Sequence, residues 1–251
     1  GQEDFWGYTK DGVNPANGNL VLQEKDFAIS GRGVPINLKR TYNSRKSSVA
    51  GIFGYGWITN LEAQIVDAGK GPITLIDGDN TRHIFGQKVG GGYEAAGGIY
   101  LDLDKHADGT YTVTKVYGTE VNFNTSGKIS SIVDTNGNTT TLTYQNGDLT
   151  SIQDASGRTV DFNYGTNGLV SSIDLPGSRT ISYEYDTADN LIRIIDPANN
   201  DVNLDYDASH NLTSIADQRN NTTTINYDGS DRVDDISSPI TIDGVVETST
   251  V

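Results

Sequence analysis

The chain has 251 residues, no cysteine, no methionine and a formal net charge of −15. Disulfides, thiolate catalysis and cysteine-ligated zinc are thereby excluded, and so acidic a surface argues against nucleic acid or an anionic membrane as a partner. Only 35% of the residues are hydrophobic while glycines number 29, which suits a thin sheet with one apolar face and many turns better than a helical or α/β core.

Residues 1–61 open the chain. They begin at Gly1, carry no signal peptide and, like the rest, hold no apolar run near the ~18 residues of a membrane span. The expectation is a segment of a longer protein, without membrane insertion. A turn-rich stretch, Asn14, Pro15, Ala16, Asn17, Gly18, Asn19, Leu20, leads to Gly33, Val34, Pro35 and then to Arg40, Thr41, Tyr42, Asn43, Ser44, Arg45. Phe53, Gly54, Tyr55, Gly56 and Trp57 close it. Arg40, Tyr42, Asn43, Arg45 and Trp57 form the densest polar–aromatic cluster of the chain. Gly33, Gly54 and Gly56 around them read as positions where backbone packs closely, so the cluster is expected to be buried and to lock this domain onto the first strands that follow. Residues 62–122 read as short linking β segments, with Gly-rich turns at 69–71 and 90–98.

From 123 to 236 one unit recurs. Phe123, Tyr144, Tyr164, Tyr185, Tyr206 and Tyr227 are spaced 21, 20, 21, 21 and 21 apart, a fixed period that signals a repeat architecture. Each unit carries an alternating strand such as Val160, Phe162, Tyr164, the pattern of a strand with one buried face. Each also carries an apolar-x-x-Ile step, for example Leu149/Ile152, whose spacing of three breaks strand parity. A β-bulge or burial on both faces would reconcile it. Between the two strands lies Asp-x-x-Gly/Asn: Asp134/Gly137, Asp154/Gly157, Asp174/Gly177, Asp196/Asn199 and Asp217/Asn220. An Asp side chain accepts from amides just ahead of it and Gly or Asn tolerates φ > 0, so these are expected to be hairpin turns. A leucine-rich repeat would need an apolar residue where Asp134, Asp154, Asp196 and Asp217 stand. The tyrosines are expected to align as a cross-strand ladder. After Ile236 the pattern decays, and 237–251 reads as a degenerate repeat or the segment's end.

Nothing here points to catalysis, a cofactor or a metal. One Asp per turn is too sparse for a calcium loop, His83, His106 and His210 lie at no zinc-binding spacing, and pairs such as Asp77/Asp79, Asp102/Asp104 and Asp234/Asp235 are expected by chance in so acidic a chain.

The unit of tyrosine, turn, apolar-x-x-Ile, Asp and turn resembles the Rhs/YD repeat, whose Tyr-Asp step stands literally at Tyr185-Asp186, Tyr206-Asp207 and Tyr227-Asp228; Tyr144-Gln145 and Tyr164-Gly165 depart from it. The motif set of residues 1–61 resembles the domain that precedes such repeats in bacterial Rhs and wall-associated proteins. The resemblance, shared with toxin-complex shell components and teneurins, implies an all-β fold. Tandem hairpins of about 21 residues would form one continuous antiparallel, spiralling sheet, a partial shell behind a small N-terminal β domain. It further implies a secreted or cell-surface, non-catalytic structural module whose partners are the rest of its own parent chain and an encapsulated C-terminal toxin. A surface adhesion or glycan-binding module is the alternative. An open sheet edge after the last repeat would invite self-association.

Overall fold

The computed structural model describes residues 12–242 and 245–250, with side chains described to Ser238; residues 1–11 of the expected N-terminal domain lie outside these. Among the described residues the only helical turn is a 3-10 turn at Ser44–Lys46, and all else that is regular is strand. In chain order the strands are β1 (Val13–Asn14), β2 (Asn19–Ile29), β3 (Ile36–Asn43), β4 (Ala50–Gly51), β5 (Gly54–Tyr55), β6 (Trp57–Thr59), β7 (Gln64–Val66), β8 (Ile73–Ile76), β9 (Arg82–Gln87) and β10 (Tyr93–Ala95). Then come β11 (Leu101–Lys105), β12 (Tyr111–Lys115), β13 (Glu120–Phe123), β14 (Ile129–Val133), β15 (Thr139–Gln145), β16 (Asp148–Gln153), β17 (Thr159–Tyr164) and β18 (Val170–Leu175). The last are β19 (Arg179–Tyr185), β20 (Leu191–Ile195), β21 (Asp201–Tyr206), β22 (Leu212–Ala216), β23 (Thr222–Tyr227), β24 (Val233–Ile242) and β25 (Val245–Thr250).

One sheet of 15 strands runs through β11 to β25 in chain order, each strand hydrogen-bonded to the next. Smaller sheets are β1-β2-β3-β6, β10-β9-β8-β7 and the pair β4-β5. The long sheet therefore starts at Leu101, ahead of the first repeat residue Phe123. The expected degenerate stretch 237–251 lies mostly outside the described side chains, but its backbone continues the sheet: β24 runs to Ile242 and pairs with β25.

Strand parity explains most of this. Along β17, Val160 and Phe162 are buried while Thr159, Asp161 and Asn163 are exposed. The apolar-x-x-Ile step resolves as a bulge. Tyr144 pairs with Leu149, Leu142 with Ile152 and Thr143 with Ser151, so Thr150 is the extra residue and the register shifts at Thr143/Tyr144. Leu149 and Ile152, three apart, thus share the buried face. The same shift recurs before Phe123, Tyr185, Tyr206 and Tyr227. At the extra residues Ser130 and Thr150 the hydroxyl donates to the main-chain oxygen of Asn122 or Thr143 at 3.1–3.2 Å, and the Ser171 hydroxyl donates likewise to Asn163 O at 3.2 Å.

The chain divides into two compact units. The first comprises residues 1–24, 40–58 and 163–251, and buries Leu20, Tyr42, Phe53, Trp57, Val170, Ile173, Leu191 and Leu212. The second comprises residues 25–39 and 59–162, and buries Ile36, Leu38, Ile73, Phe85, Phe123, Ile152 and Val160.

Candidate functional site

The turns show what each sequence-singled aspartate does. At Asp134, Asp154, Asp196 and Asp217, Oδ1 accepts from the amides two and four residues on, at 2.8–2.9 Å. Oδ2 accepts from the side chain four residues on: Asn138, Arg158, Asn200 or Asn221, at 2.8–2.9 Å. The residue three on takes positive φ, at Gly137 (79°), Gly157 (80°), Asn199 (62°) and Asn220 (60°). These bonds favour the carboxylate form, so all four acids are held below the usual range: Asp134, Asp196 and Asp217 chiefly by the Asn four residues on, and Asp154 by Arg158 against the penalty of burial. Asp174 departs from the expectation. It pairs with Thr180 within the β18–β19 ladder and accepts from the side chains of Thr180 and Asn163, while Pro176, Gly177 and Ser178 make the turn.

The aspartates of the Tyr-Asp steps, which the reading for Asp-x-x-Gly/Asn passed over, build the same turn at the opposite strand ends. Asp186, Asp207 and Asp228 accept from the amides two and four on at 2.8–3.1 Å and from Asn190, Asn211 and Arg232 side chains at 2.8–3.0 Å. Their positive-φ residues are Asp189, His210 and Asp231, so these turns lack the Gly or Asn of the Asp-x-x-Gly/Asn pattern. The Arg232 bond pulls the Asp228 carboxyl down to about 2.

At the first residue of the apolar step, main-chain groups of Val170, Leu212 and Val233 bond to the N-terminal segment and the repeat tyrosines within the first unit. The Val170 amide donates to the Ile52 carbonyl (3.0 Å), the Val233 amide to the Gly18 carbonyl (3.0 Å) and the Leu212 amide to the Tyr42 hydroxyl (2.9 Å). On the carbonyl side the Tyr185 hydroxyl donates to Val170 O (2.7 Å) and the Tyr227 hydroxyl to Leu212 O (3.0 Å). Neighbouring repeats are thus tied by tyrosine-to-main-chain bonds at Tyr185 and Tyr227.

Around this seam sits the polar–aromatic cluster. Arg40, 2% exposed, holds its guanidinium 4.7 Å from the Trp57 ring, 5.8 Å from Phe53 and 5.9 Å from Tyr183, a cation–π cage. Trp57 Nε1 donates to the Tyr206 hydroxyl at 2.8 Å. Tyr42, fully buried, lies 5.4 Å from Trp57 and 6.4 Å from Tyr206, and donates to His210 O at 3.1 Å. Tyr55 stacks on His210 at 3.8 Å. Burial pushes the Tyr42, Tyr206 and Tyr227 hydroxyls far above the ordinary phenol range and that of Tyr144 up to about 12, so all stay neutral hydrogen-bonding groups. Two glycines permit the approach. Gly56 (φ 77°) lies against the Tyr42 ring where a Cβ would stand, and Gly54 (φ 85°) against the Asp189 carbonyl. Asn43 and Arg45 stand at the margin. Asn43 Oδ1 caps the 3-10 turn by accepting from the Arg45 amide, and the Arg45 side chain is exposed. Asn14 Oδ1 accepts from the Ala16 amide in the turn that carries Pro15 and Gly18.

Of the cluster, Arg40, Tyr42 and Trp57 are buried, whereas Asn43 is half-buried and Arg45 exposed, and the partners differ from those expected. Arg40, Tyr42 and Trp57 meet Tyr183, Tyr206, His210 and Leu212, late in the repeats, and not the first repeat strands. No period in the sequence could signal a contact 168 residues long. Among the described residues no group of three or more His, Asp or Glu side chains is placed to hold a metal ion.

Comparison with known proteins places these elements. Residues 10–85 match a family model described as a domain of unknown function (DUF6531), and residues 123–159 and 164–201 match the RHS Repeat model. The chain is 37% identical over 148 residues to the tRNA nuclease WapA of Bacillus subtilis (strain 168), covering 57% of this chain and 6% of that protein. Identity and coverage are the same for the tRNA3(Ser)-specific nuclease WapA of Bacillus spizizenii. The chain therefore spans about 6% of the length of these curated relatives. Among solved structures, a chain of the Photorhabdus luminescens Tc holotoxin pore is similar with a TM-score of 0.44 and 13% identity, over 92% of this chain and 14% of that one.

Proposed function

The chain belongs to the Rhs/YD-repeat family, and we propose that it is a non-catalytic wall segment of a shell, part of a secreted or surface protein that contains or delivers a C-terminal effector. The observation that carries this reading is the single 15-stranded antiparallel sheet, apolar on one face along its repeats. The amides of Val170, Leu212 and Val233 in it are satisfied by the chain's own N-terminal segment. A sheet built this way is a barrier: its buried face excludes water and the chain's own groups meet main-chain amides along it. The nuclease names of the WapA relatives support a link to a toxic cargo, as does the match to RHS repeats.

The test is protease protection of the effector in the full-length parent protein. The C-terminal domain should resist a protease that degrades it when expressed alone. Tyr42→Ala with Trp57→Ala, which break the seam, should expose it to cleavage. An effector equally sensitive inside and outside the intact parent would refute the shell reading.

A further inference from the structure

We propose that the second unit holds a binding site for a single-chain amphiphile with an anionic head, of the kind represented by a fatty acid of about ten carbons. That unit encloses a cavity of about 260 Å³. Its wall is largely buried hydrocarbon, including Leu61, Leu75, Val113, Phe123 and Ile152. An apolar cavity of about 150 Å³ accepts a six-carbon ring, so by proportion this one accepts about ten carbons. Two polar side chains of the wall, Asn60 and Thr140, are already engaged. Asn60 Nδ2 donates to Asn37 O and Oδ1 at 3.2 and 3.1 Å, Asn60 Oδ1 accepts from the Lys39 amide at 2.7 Å, and Thr140 Oγ1 donates to Val34 O at 3.3 Å. Water in the cavity would find few partners, which favours an apolar occupant.

The exposed members of the lining, Pro35, Asp77 and Lys115, mark where the cavity meets solvent. They are not equivalent. Asp77 accepts from the Gly78 amide at 2.8 Å and faces His83 Nε2 at 3.8 Å, whereas among the described residues no hydrogen bond or ion pair occupies the Lys115 ammonium. A second, independent feature lies beside it. Val116 and Tyr117 follow Lys115 directly and are 63% and 87% exposed. Tyr100, 77% exposed, precedes the lining residue Leu101, and Leu101 pairs with Lys115 across β11 and β12. Large apolar side chains left in water next to an apolar cavity mark a binding surface. The Lys115 ammonium is the local partner for an anionic head, set against a net charge of −15 that repels anions at long range, and the tail that fits the wall is a hydrocarbon.

The experiment is calorimetric titration of the chain with decanoate below its micelle concentration, alongside decanol and butyrate. One saturable site is expected for decanoate and decanol, and none for butyrate. Lys115→Gln, at an exposed position, should weaken decanoate by about two- to fivefold, the range an exposed ion pair supplies, and leave decanol unchanged. Ile132→Trp, which fills the cavity from its wall, should abolish both. On the unaltered protein, intermolecular NOEs from the decanoate chain to Val113 and the Phe123 ring give a readout independent of any variant. Absence of saturable binding, NOEs confined to other residues, or an equal effect of Lys115→Gln on decanol would each overturn the proposal.

Discussion

The Tyr42 hydroxyl links a bulge to the turn before it, accepting from the Leu212 amide at 2.9 Å and donating to His210 O at 3.1 Å. Tyr42→Phe keeps the ring between Gly56, Trp57 and Tyr206 but strands a buried amide and a carbonyl. That should cost about 1–3 kcal/mol in urea unfolding, against about 1 kcal/mol for Tyr185→Phe, where one bond of a half-buried group is lost. Equal effects would mean that the Tyr42 bonds are replaced by water. The turn aspartates make a second prediction. Asp134, Asp196, Asp217 and Asp228 have folded values below the unfolded carboxyl value, Asp228 near 2. The unfolded chain therefore binds their protons first as pH falls. Their contribution is complete above the unfolded value of about 3.9 and is lost as pH drops through the folded values. Urea midpoints should hold steady from neutrality to about pH 5 and fall steeply between about pH 4 and pH 2. Carboxyl NMR should place the Asp228 midpoint near 2. A flat profile through that window would show that the carboxylates hold their turns no better than the neutral acids.

At the scale of the element the repeat is a hairpin with one irregularity, and the irregularity is what the tyrosine answers. The bulge at Thr150 lets Leu149 and Ile152 share a face although three residues separate them. Deleting Thr150 leaves the two residues two apart, already in register on a regular strand. The variant should still unfold cooperatively, with a smaller loss than the ~2–5 kcal/mol of Leu149→Ala. Collapse of the fold on deletion would point to burial on both faces. The sequence made the repeat, the alternating strand and the Asp turns legible because each depends on neighbours within a few residues. It displayed the parity break at the apolar-x-x-Ile step without deciding its cause, since a bulge and two-sided burial have the same spacing. The turns after Tyr185, Tyr206 and Tyr227 were legible, but the part of Asp186, Asp207 and Asp228 in them was not, because Asp189, His210 and Asp231 hold the left-handed position that the Asp-x-x-Gly/Asn pattern gives to Gly or Asn. The cluster of Arg40, Tyr42 and Trp57 was visible as a cluster, but its partners were not. Which repeat it meets depends on the path of the chain between them, not on any local preference.

For the whole molecule the decisive quantity is charge. A net charge of −15 on 251 residues, with two Lys/Arg against ten Asp/Glu in residues 201–251, is self-repelling in the compact state. Opposing it are ion pairs such as Arg193 with Asp201 (2.8 Å), Arg232 with Asp228 (2.5 Å) and Lys105 with Asp67 (2.7 Å). Exposed pairs of this kind contribute little, because water and salt screen them. The turn carboxylates gain mainly from amides and Asn side chains at hydrogen-bond distance, interactions that salt screens little. Raising NaCl from about 0.01 M to about 1 M shrinks the Debye length from about 30 Å to about 3 Å, which removes long-range repulsion while weakening only the exposed pairs. Stability at neutral pH should therefore rise with NaCl, read as an increase in the urea midpoint at constant slope. Sodium chloride suits the test better than sulfate, which would strengthen apolar burial by its exclusion from the surface and mimic the result. A urea midpoint that fell with NaCl would mean that the ion pairs outweigh the net charge, and that the acidic surface is locally balanced in a way its total conceals.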